Sequence, residues 1–264
     1  MPASDLLLLI DAARSAGRIA TNFTGPDAQS WDKPGGAGPV TEADLAVNAM
    51  LETTLQTARP KYGWLSEETE DSADRLTLDT VFIVDPIDGT RSFIEGSKTW
   101  AHALAVAHHG IVTAAVIYLP MRDKLYSAAA GQGAFLNGLP IKASDAAELA
   151  GASVLSARSN FDPQNWLRAV PEVARTYRPS LAYRLALVAE GRFDAMLTLR
   201  DSWEWDIAAG DLILREAGAV CSDKTGAPLR FNNAHPMLNG VVSAGAPVHG
   251  QIIEALDHRD PRPA

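Results

Sequence analysis

The sequence predicts a mixed α/β protein made of two subdomains that meet near residue 141. The part before this point has the pattern of two helices followed by mostly antiparallel strands, whereas the part after it alternates between strand and helix. The composition is 47% hydrophobic and 21% charged over 264 residues, which is ordinary for a globular protein with a sizeable core. We therefore expect an N-terminal α+β subdomain over residues 1–141 and a C-terminal α/β subdomain over residues 142–264.

Two amphipathic helices open the N-terminal subdomain. Residues 6–23 have apolar side chains at helical spacing, and Thr41 precedes a second such segment, Glu42–Ala58, with one apolar face. The intervening residues 24–39 are rich in Gly and Pro, which predicts a loop. Strands follow, two of them paired in a hairpin around His108-His109-Gly110. The predicted strands are 62–65, 81–84, 100–107, 111–119, 125–129 and 134–136.

The C-terminal subdomain alternates between short apolar runs and amphipathic segments. Gly191 and Gly218 each follow a helical segment, at the position where glycine commonly ends a helix. The predicted strands are 154–157, 195–199, 220–222 and 241–244. The predicted helices are 163–170, 181–190, 206–217 and 252–256.

Charge and cysteine content restrict the function classes. The net charge is −9 and there is no basic block, so we expect neither a nucleic-acid polymer nor a membrane surface as partner. The first apolar run, residues 6–10, is too short for a signal peptide or a membrane span. Cys221 is the only cysteine, which indicates a reducing compartment, and we predict a cytoplasmic location.

Residues 85–90 read Asp-Pro-Ile-Asp-Gly-Thr directly after a buried strand. Pro86 cannot continue a strand ladder, so we expect the strand to end at Asp85 and the chain to turn there. Asp85 and Asp88 can then face one point together with the carbonyl of Ile87. Oxygen ligands without His or Cys favour Mg²⁺, and the Gly-Thr that follows offers N–H groups to a phosphate. Ordinary turn chemistry would explain Asp-Gly alone but not the whole hexapeptide.

Three further carboxylates are candidate site residues, and each also has an ordinary structural explanation. Glu67 comes just after a predicted strand, although with Glu68 it also fits a solvated acidic loop. Asp206 lies at the start of a helix, where an acidic residue also serves as a cap. Asp44 forms a capping-box pattern with Thr41, which explains it without any catalytic role.

The hexapeptide at residues 85–90, together with Trp205-Asp206 and the Ala/Gly-rich helix after it, resembles the inositol monophosphatase superfamily. Its members are Mg²⁺-dependent, lithium-sensitive phosphomonoesterases. The resemblance covers residues 5–245 and implies a layered αβαβα sandwich of two subdomains, often dimeric. It also implies two metal sites, with a third ion possible at Glu67. Their ligands are Glu67, Asp85 and the Ile87 carbonyl for the first site, and Asp85, Asp88 and Asp206 for the second.

The resemblance implies substrate and water contacts as well. The N–H groups of Gly89 and Thr90 match the phosphate binders of the family, and Thr90 with Asp44 matches the pair that orients or activates the attacking water. Lys33 matches a family lysine near the site. Arg91 follows Thr90, where inositol-phosphate enzymes usually continue to an Asn.

Arg91 and the Trp-Glu-Trp-Asp stretch at residues 203–206 are similar to bisphosphate nucleotidases. We therefore predict a nucleotidase that converts adenosine 3',5'-bisphosphate to AMP, with Arg91, Arg184 and Lys33 as candidates for binding its remote phosphate. Inositol-1-phosphate phosphatase is the alternative, followed by histidinol-phosphate phosphatase. A non-catalytic metal-binding module is disfavoured because every expected metal carboxylate is present. We expect a small phosphorylated substrate, Mg²⁺ as cofactor and a homodimer as one oligomeric state.

Overall fold

The computed structural model describes residues 2–23, 28–36 and 38–258. The described helices are α1 (Pro2–Ala20), α2 (Glu42–Ala58), α3 (Thr90–Ile94), α4 (Leu181–Ala189), α5 (Glu204–Glu216) and α6 (Ala246–Ala255). The described strands are β1 (Ser30–Asp32), β2 (Pro39–Thr41), β3 (Gly63–Ser66), β4 (Thr80–Asp88), β5 (Ala101–His108), β6 (Ile111–Leu119), β7 (Lys124–Ala129), β8 (Ala134–Leu136), β9 (Leu139–Pro140), β10 (Ser153–Leu155), β11 (Ala174–Thr176), β12 (Ala195–Thr198), β13 (Ser202–Trp203), β14 (Val220–Ser222), β15 (Met237–Leu238) and β16 (Val241–Ala244).

These elements stack in five layers. Helices α1 and α2 cover one face of a seven-stranded sheet of order β3-β4-β5-β6-β7-β8-β9. Helices α4 and α5 pack on its other face and also contact a five-stranded mixed sheet of order β11-β10-β12-β16-β14. Helix α6 packs on that second sheet in a separate apolar cluster. The layered αβαβα sandwich is confirmed, since each sheet buries both of its faces against helices.

Strand β4 shows why this arrangement was readable from the sequence. Phe82 and Val84 point to the α1/α2 side, whereas Val81 and Ile83 point to the α4/α5 side. Because both faces are covered, successive positions are apolar instead of alternating with polar ones. The predicted end of the strand at Asp85 is wrong, however. The strand continues to Asp88, with a register shift against β5 between the two aspartates, so the proline lies in a bulge and not beyond the ladder.

Helices α4 and α5 cross closely, which brings their N-terminal ends towards β4. A Cβ atom on Gly210 of α5 would collide with the side chain of Leu185 on α4. Only glycine allows this approach. The close contact is what places the start of each helix near the bulge of β4.

The segment predicted as a loop, residues 24–39, contains regular structure in its described part. Strands β1 and β2 pair antiparallel, with Ser30 opposite Thr41, and a 3-10 turn lies at Pro34–Gly36. The remaining residues of that prediction, 24–27 and 37, lie outside the described residues. Gly and Pro content marked the turn correctly but concealed the two short strands beside it.

The helix predicted over residues 163–170 is wrong. One 3-10 turn, Pro163–Asn165, forms there, and Trp166 then adopts extended backbone and bridges to Leu256. The buried Trp166 side chain donates its indole N–H to the carbonyl of Asn160. Tertiary packing of this one large side chain therefore overrides the local helical pattern.

In the described part of the chain, no helix is both long enough and apolar enough to cross a membrane. The seven-stranded sheet takes its strands, β3 to β9, from the first half of the sequence. The five-stranded sheet takes β10, β11, β12, β14 and β16 from the second half, where β13 and β15 form a separate two-stranded sheet. The division near residue 141, the homodimer and the cytoplasmic location stay predictions.

Candidate active site

Three aspartates from two distant segments meet at one point. Asp85 and Asp88 flank the bulge of β4, and Asp206 lies in the first turn of α5. One carboxylate oxygen of each lies within 4.8 Å of the others. Both carboxylate oxygens of Asp85 are buried and have no hydrogen-bond partner among the described residues. A buried carboxylate without partners is strongly unfavourable, so this donor set fits a bound divalent cation.

The pKa shifts of the clustered aspartates also favour a bound cation. Burial raises the pKa of the Asp85 carboxyl well above its usual value, and neighbouring carboxylates, Glu67 and Asp88 foremost, raise it further. Burial likewise raises the pKa of Asp206, with the charges of Asp88 and Glu67 adding to the effect. Gathering these charges therefore destabilises the fold until positive charge enters the cluster.

Asp88 is fixed by the start of α4. Its carboxylate accepts hydrogen bonds from Ser180 Oγ at 2.6 Å, Ala182 N at 2.6 Å and Leu181 N at 3.2 Å. The N–H groups of Leu181 and Ala182 are free N–H groups of a helix N-terminus, which favours a negative charge there. Ser180 has a φ of 65°, an uncommon value for a residue with a side chain. Ser180 was not among the predicted site residues, because its only sequence signal is a serine before an apolar helix.

Thr90 and Asp44 are in direct contact, and the capping box is also present. Thr90 Oγ1 lies 3.1 Å from Asp44 Oδ1 and 3.1 Å from the Ile87 carbonyl. Asp44 Oδ2 accepts the N–H of Thr41 at 2.9 Å, as a helix cap requires. The two explanations for Asp44 are therefore compatible, one for each carboxylate oxygen. A hydroxyl can donate only one hydrogen bond at a time. When Thr90 donates to Asp44, the Ile87 carbonyl therefore stays available to another partner.

Gly89 supplies the turn between the aspartates and α3. Its φ is 97°, in the left-handed region that side chains disfavour. A Cβ atom here would also lie 3.4 Å from the Thr99 carbonyl oxygen and 3.6 Å from Ser180 Cβ. These are ordinary contact distances, so the positive φ is what favours glycine at this position.

Lys33, between β1 and β2, reaches the acidic residues after β3. Its Nζ lies 2.7 Å from Glu67 Oε1 and 2.8 Å from Glu68 Oε1. Burial raises the pKa of Glu68 to about 7, although its hydrogen bond to Lys33 acts in the opposite direction. The structure thus places Lys33 and Glu67 together, beside the charge of Asp85.

The two arginines of the predicted substrate site lie in different surroundings. Arg91 is exposed on α3. Arg184 is buried on α4, with its guanidinium 5.3 Å from the centre of the Tyr177 ring. Burial lowers the pKa of Arg184, and the nearby charges of Asp88 and Asp206 partly counter this. Arg184 is thus the better placed of the two to meet a ligand near the aspartates.

His102 on β5 holds the bulge of β4, a role that the spacing of histidines in the sequence did not reveal. Its Nδ1 is hydrogen-bonded to the Pro86 carbonyl inside the bulge. Burial lowers the pKa of His102 to about 4, so the imidazole is neutral and donates from Nδ1. The ring packs edge-on against Trp100, which holds it in place.

Comparison with known proteins identifies the lineage. A model of the inositol monophosphatase family matches residues 4–259. The chain belongs to the inositol monophosphatase family. The family resemblance is therefore confirmed.

Individual relatives of this inositol monophosphatase family member agree on the fold and differ in name. Nus factor SuhB of Salmonella typhimurium is 34% identical over 95% of this chain and 93% of that protein. Inositol-1-monophosphatase of Rhizobium meliloti is 35% identical over 84% of this chain and 86% of that protein. The crystal structure of SuhB from Bartonella henselae superposes with a TM-score of 0.81, at 28% identity over 95% of this chain and 97% of that one. The name of the Rhizobium meliloti relative favours the inositol-phosphate alternative over the nucleotidase branch predicted from Arg91 and residues 203–206.

Proposed function

We propose that this chain is a Mg²⁺-dependent phosphomonoesterase whose substrate is an inositol monophosphate. The observation that carries the proposal is the three-aspartate cluster, in which both oxygens of Asp85 lack a partner among the described residues. The names of the relatives support the substrate class. The metal ligands would be Glu67, Asp85, the Ile87 carbonyl, Asp88 and Asp206.

Bound Mg²⁺ would neutralise the charge of the phosphate and stabilise the developing charge on the oxygen of the departing alcohol. Oxygen-only ligands suit this ion better than zinc. The remaining requirement of phosphomonoester hydrolysis is placement, because the reaction is governed by positioning and charge more than by covalent chemistry.

Thr90 and Asp44 would place the attacking water. Asp44 Oδ2 is engaged by the start of α2, while Oδ1 holds the Thr90 hydroxyl at 3.1 Å. Burial raises the pKa of Asp44, and its bonds to Thr41 and Thr90 favour the ionised form. With its proton directed to Asp44, the Thr90 oxygen can accept a hydrogen bond from the attacking water and orient that water towards the phosphorus. The N–H groups of Gly89 and Thr90 would hold the phosphate oxygens.

A second substrate, adenosine 3',5'-bisphosphate, is favoured by one specific observation. Arg184 is buried beside Asp88 and Asp206, and its hydrogen-bond acceptor among the described residues is the Ser180 carbonyl at 3.4 Å. A guanidinium carries five N–H donors, so Arg184 has capacity left for a second anionic group of a substrate. An inositol monophosphate has no such group.

A substrate panel distinguishes these possibilities. We expect kcat/KM for inositol 1-phosphate to exceed that for adenosine 3',5'-bisphosphate and for histidinol phosphate by at least tenfold, about 1.4 kcal/mol of transition-state binding. Phosphate release at saturating Mg²⁺ is the measurement, and Arg184→Met serves as the matched variant. A tenfold preference for the nucleotide that Arg184→Met abolishes would transfer the assignment to the nucleotidase. Release from none of the three substrates would refute the phosphatase proposal.

A further inference from the structure

Glu204, the first residue of α5, is a fully buried carboxylate outside the metal cluster. Its side chain accepts three hydrogen bonds, from Asn232 N at 2.6 Å, Asn233 N at 2.9 Å and Asn233 Nδ2 at 2.7 Å. Its own backbone N–H donates to the Pro236 carbonyl at 2.9 Å. One residue thus ties the start of α5 to the segment 232–236 at four points.

The start of α5 lacks a side-chain cap. The N-cap residue of α5, Trp203, makes no side-chain capping hydrogen bond. The first turn of the helix, which carries Asp206, is therefore held by Glu204 together with the pairing of β13 and β15 that precedes it. A shift of this turn would move the Asp206 carboxylate relative to Asp85 and Asp88.

The same segment is anchored on its other side by Arg75. This buried guanidinium donates to Asn232 Oδ1 at 2.6 Å and to the Asn233 carbonyl at 2.9 Å. It also donates to both carboxylate oxygens of Asp71, at 2.6 and 2.8 Å. Asp71 follows Glu67 by four residues. Asn232 and Asn233 thereby join the chain segment that carries Glu67 to the helix that carries Asp206.

We propose that Glu204 is a positioning residue that sets the separation of Asp206 from Glu67 and so determines the affinity of the site for its divalent cation. This role rests on the proposed metal-dependent function. Groups that orient metal ligands typically change metal affinity roughly 10- to 100-fold when they are altered. A purely structural role would lower thermal stability and leave the metal affinity unchanged.

The test is calorimetric titration of MgCl₂ into the apoprotein, combined with the Tm shift that Mg²⁺ produces. Glu204→Gln keeps the shape of the side chain but replaces one acceptor oxygen with a donor. The matched control is Glu190→Gln, at the opposite end of α4 from Asp88. Glu190 also accepts several hydrogen bonds, from Lys124 Nζ at 2.9 Å and from the Tyr126 hydroxyl at 2.8 Å.

We expect Glu204→Gln to raise the Kd for Mg²⁺ by at least about tenfold, while Glu190→Gln changes it less than about twofold at a comparable loss of Tm. Asn233→Ala, at a half-buried position, removes one of the three hydrogen bonds to the Glu204 carboxylate and should give an intermediate Kd. If Glu204→Gln does not fold, the Kd of Asn233→Ala tests the positioning role instead. Unchanged Kd values in the folded variants overturn the positioning role. A wild-type chain that binds no Mg²⁺ refutes the proposed function itself.

Discussion

Asp206→Asn is expected to lower kcat/KM for inositol 1-phosphate by at least a hundredfold, about 2.7 kcal/mol of lost transition-state stabilisation. Asparagine preserves the shape of the side chain but removes one negative charge from the cluster. Asp88→Asn should have a similar effect on rate, with an added loss of stability because Asp88 also binds the start of α4. Phosphate release at saturating Mg²⁺ measures both variants.

The control for Asp206→Asn lies on the same helix. Asp211 is also buried but pairs with Arg215, at 3.0 Å, and takes no part in the cluster. Asp211→Asn should therefore reduce Tm and retain activity. In the metal-free state Asp206→Asn should instead raise Tm, because it relieves repulsion among buried carboxylates. An Asp206→Asn protein that is folded and keeps more than about a tenth of the wild-type rate would contradict the metal-ligand role, given the several kcal/mol that metal catalysis supplies.

Thr90→Val is expected to reduce kcat by about a hundredfold with less than about a threefold change in KM, because orientation of the attacking water matters in the transition state and not in substrate binding. Valine fills the same volume but cannot donate to Asp44 or accept from water. Steady-state kinetics with inositol 1-phosphate separates the two parameters.

Thr90→Ser is the matched variant, since serine keeps the hydroxyl and loses one methyl group. It should retain most of kcat if the hydroxyl is the active group. An equal loss of kcat in the valine and serine variants would indicate that Thr90 acts through packing. A rise in KM with unchanged kcat in Thr90→Val would assign Thr90 to substrate binding alone.

Local sequence was enough to predict the part of the site that is contiguous in the chain. The hexapeptide at residues 85–90 carries two carboxylates, a glycine with φ of 97° and a threonine within one turn of backbone. Its geometry depends on proline and glycine preferences, which act over a few residues. The apolar run before it required a strand covered on both faces.

Contacts between distant segments were not predictable in the same way. Ser180 reaches Asp88 across 92 positions, and Asn233 reaches Glu204 across 29. Nothing in a single sequence specifies such partners, because they depend on how α4 and α5 pack against the sheet. The same reason explains the short strands β1 and β2, whose pairing is stabilised by the chain around them and not by strong local propensity.

We propose above all that a divalent cation held by Asp85, Asp88 and Asp206 makes this chain a phosphomonoesterase. Phosphate release from inositol 1-phosphate, measured before EDTA treatment, after it and after Mg²⁺ is restored, tests this claim most directly. We expect EDTA to reduce the rate to background and Mg²⁺ to restore it. A rate that persists unchanged in EDTA would contradict this claim.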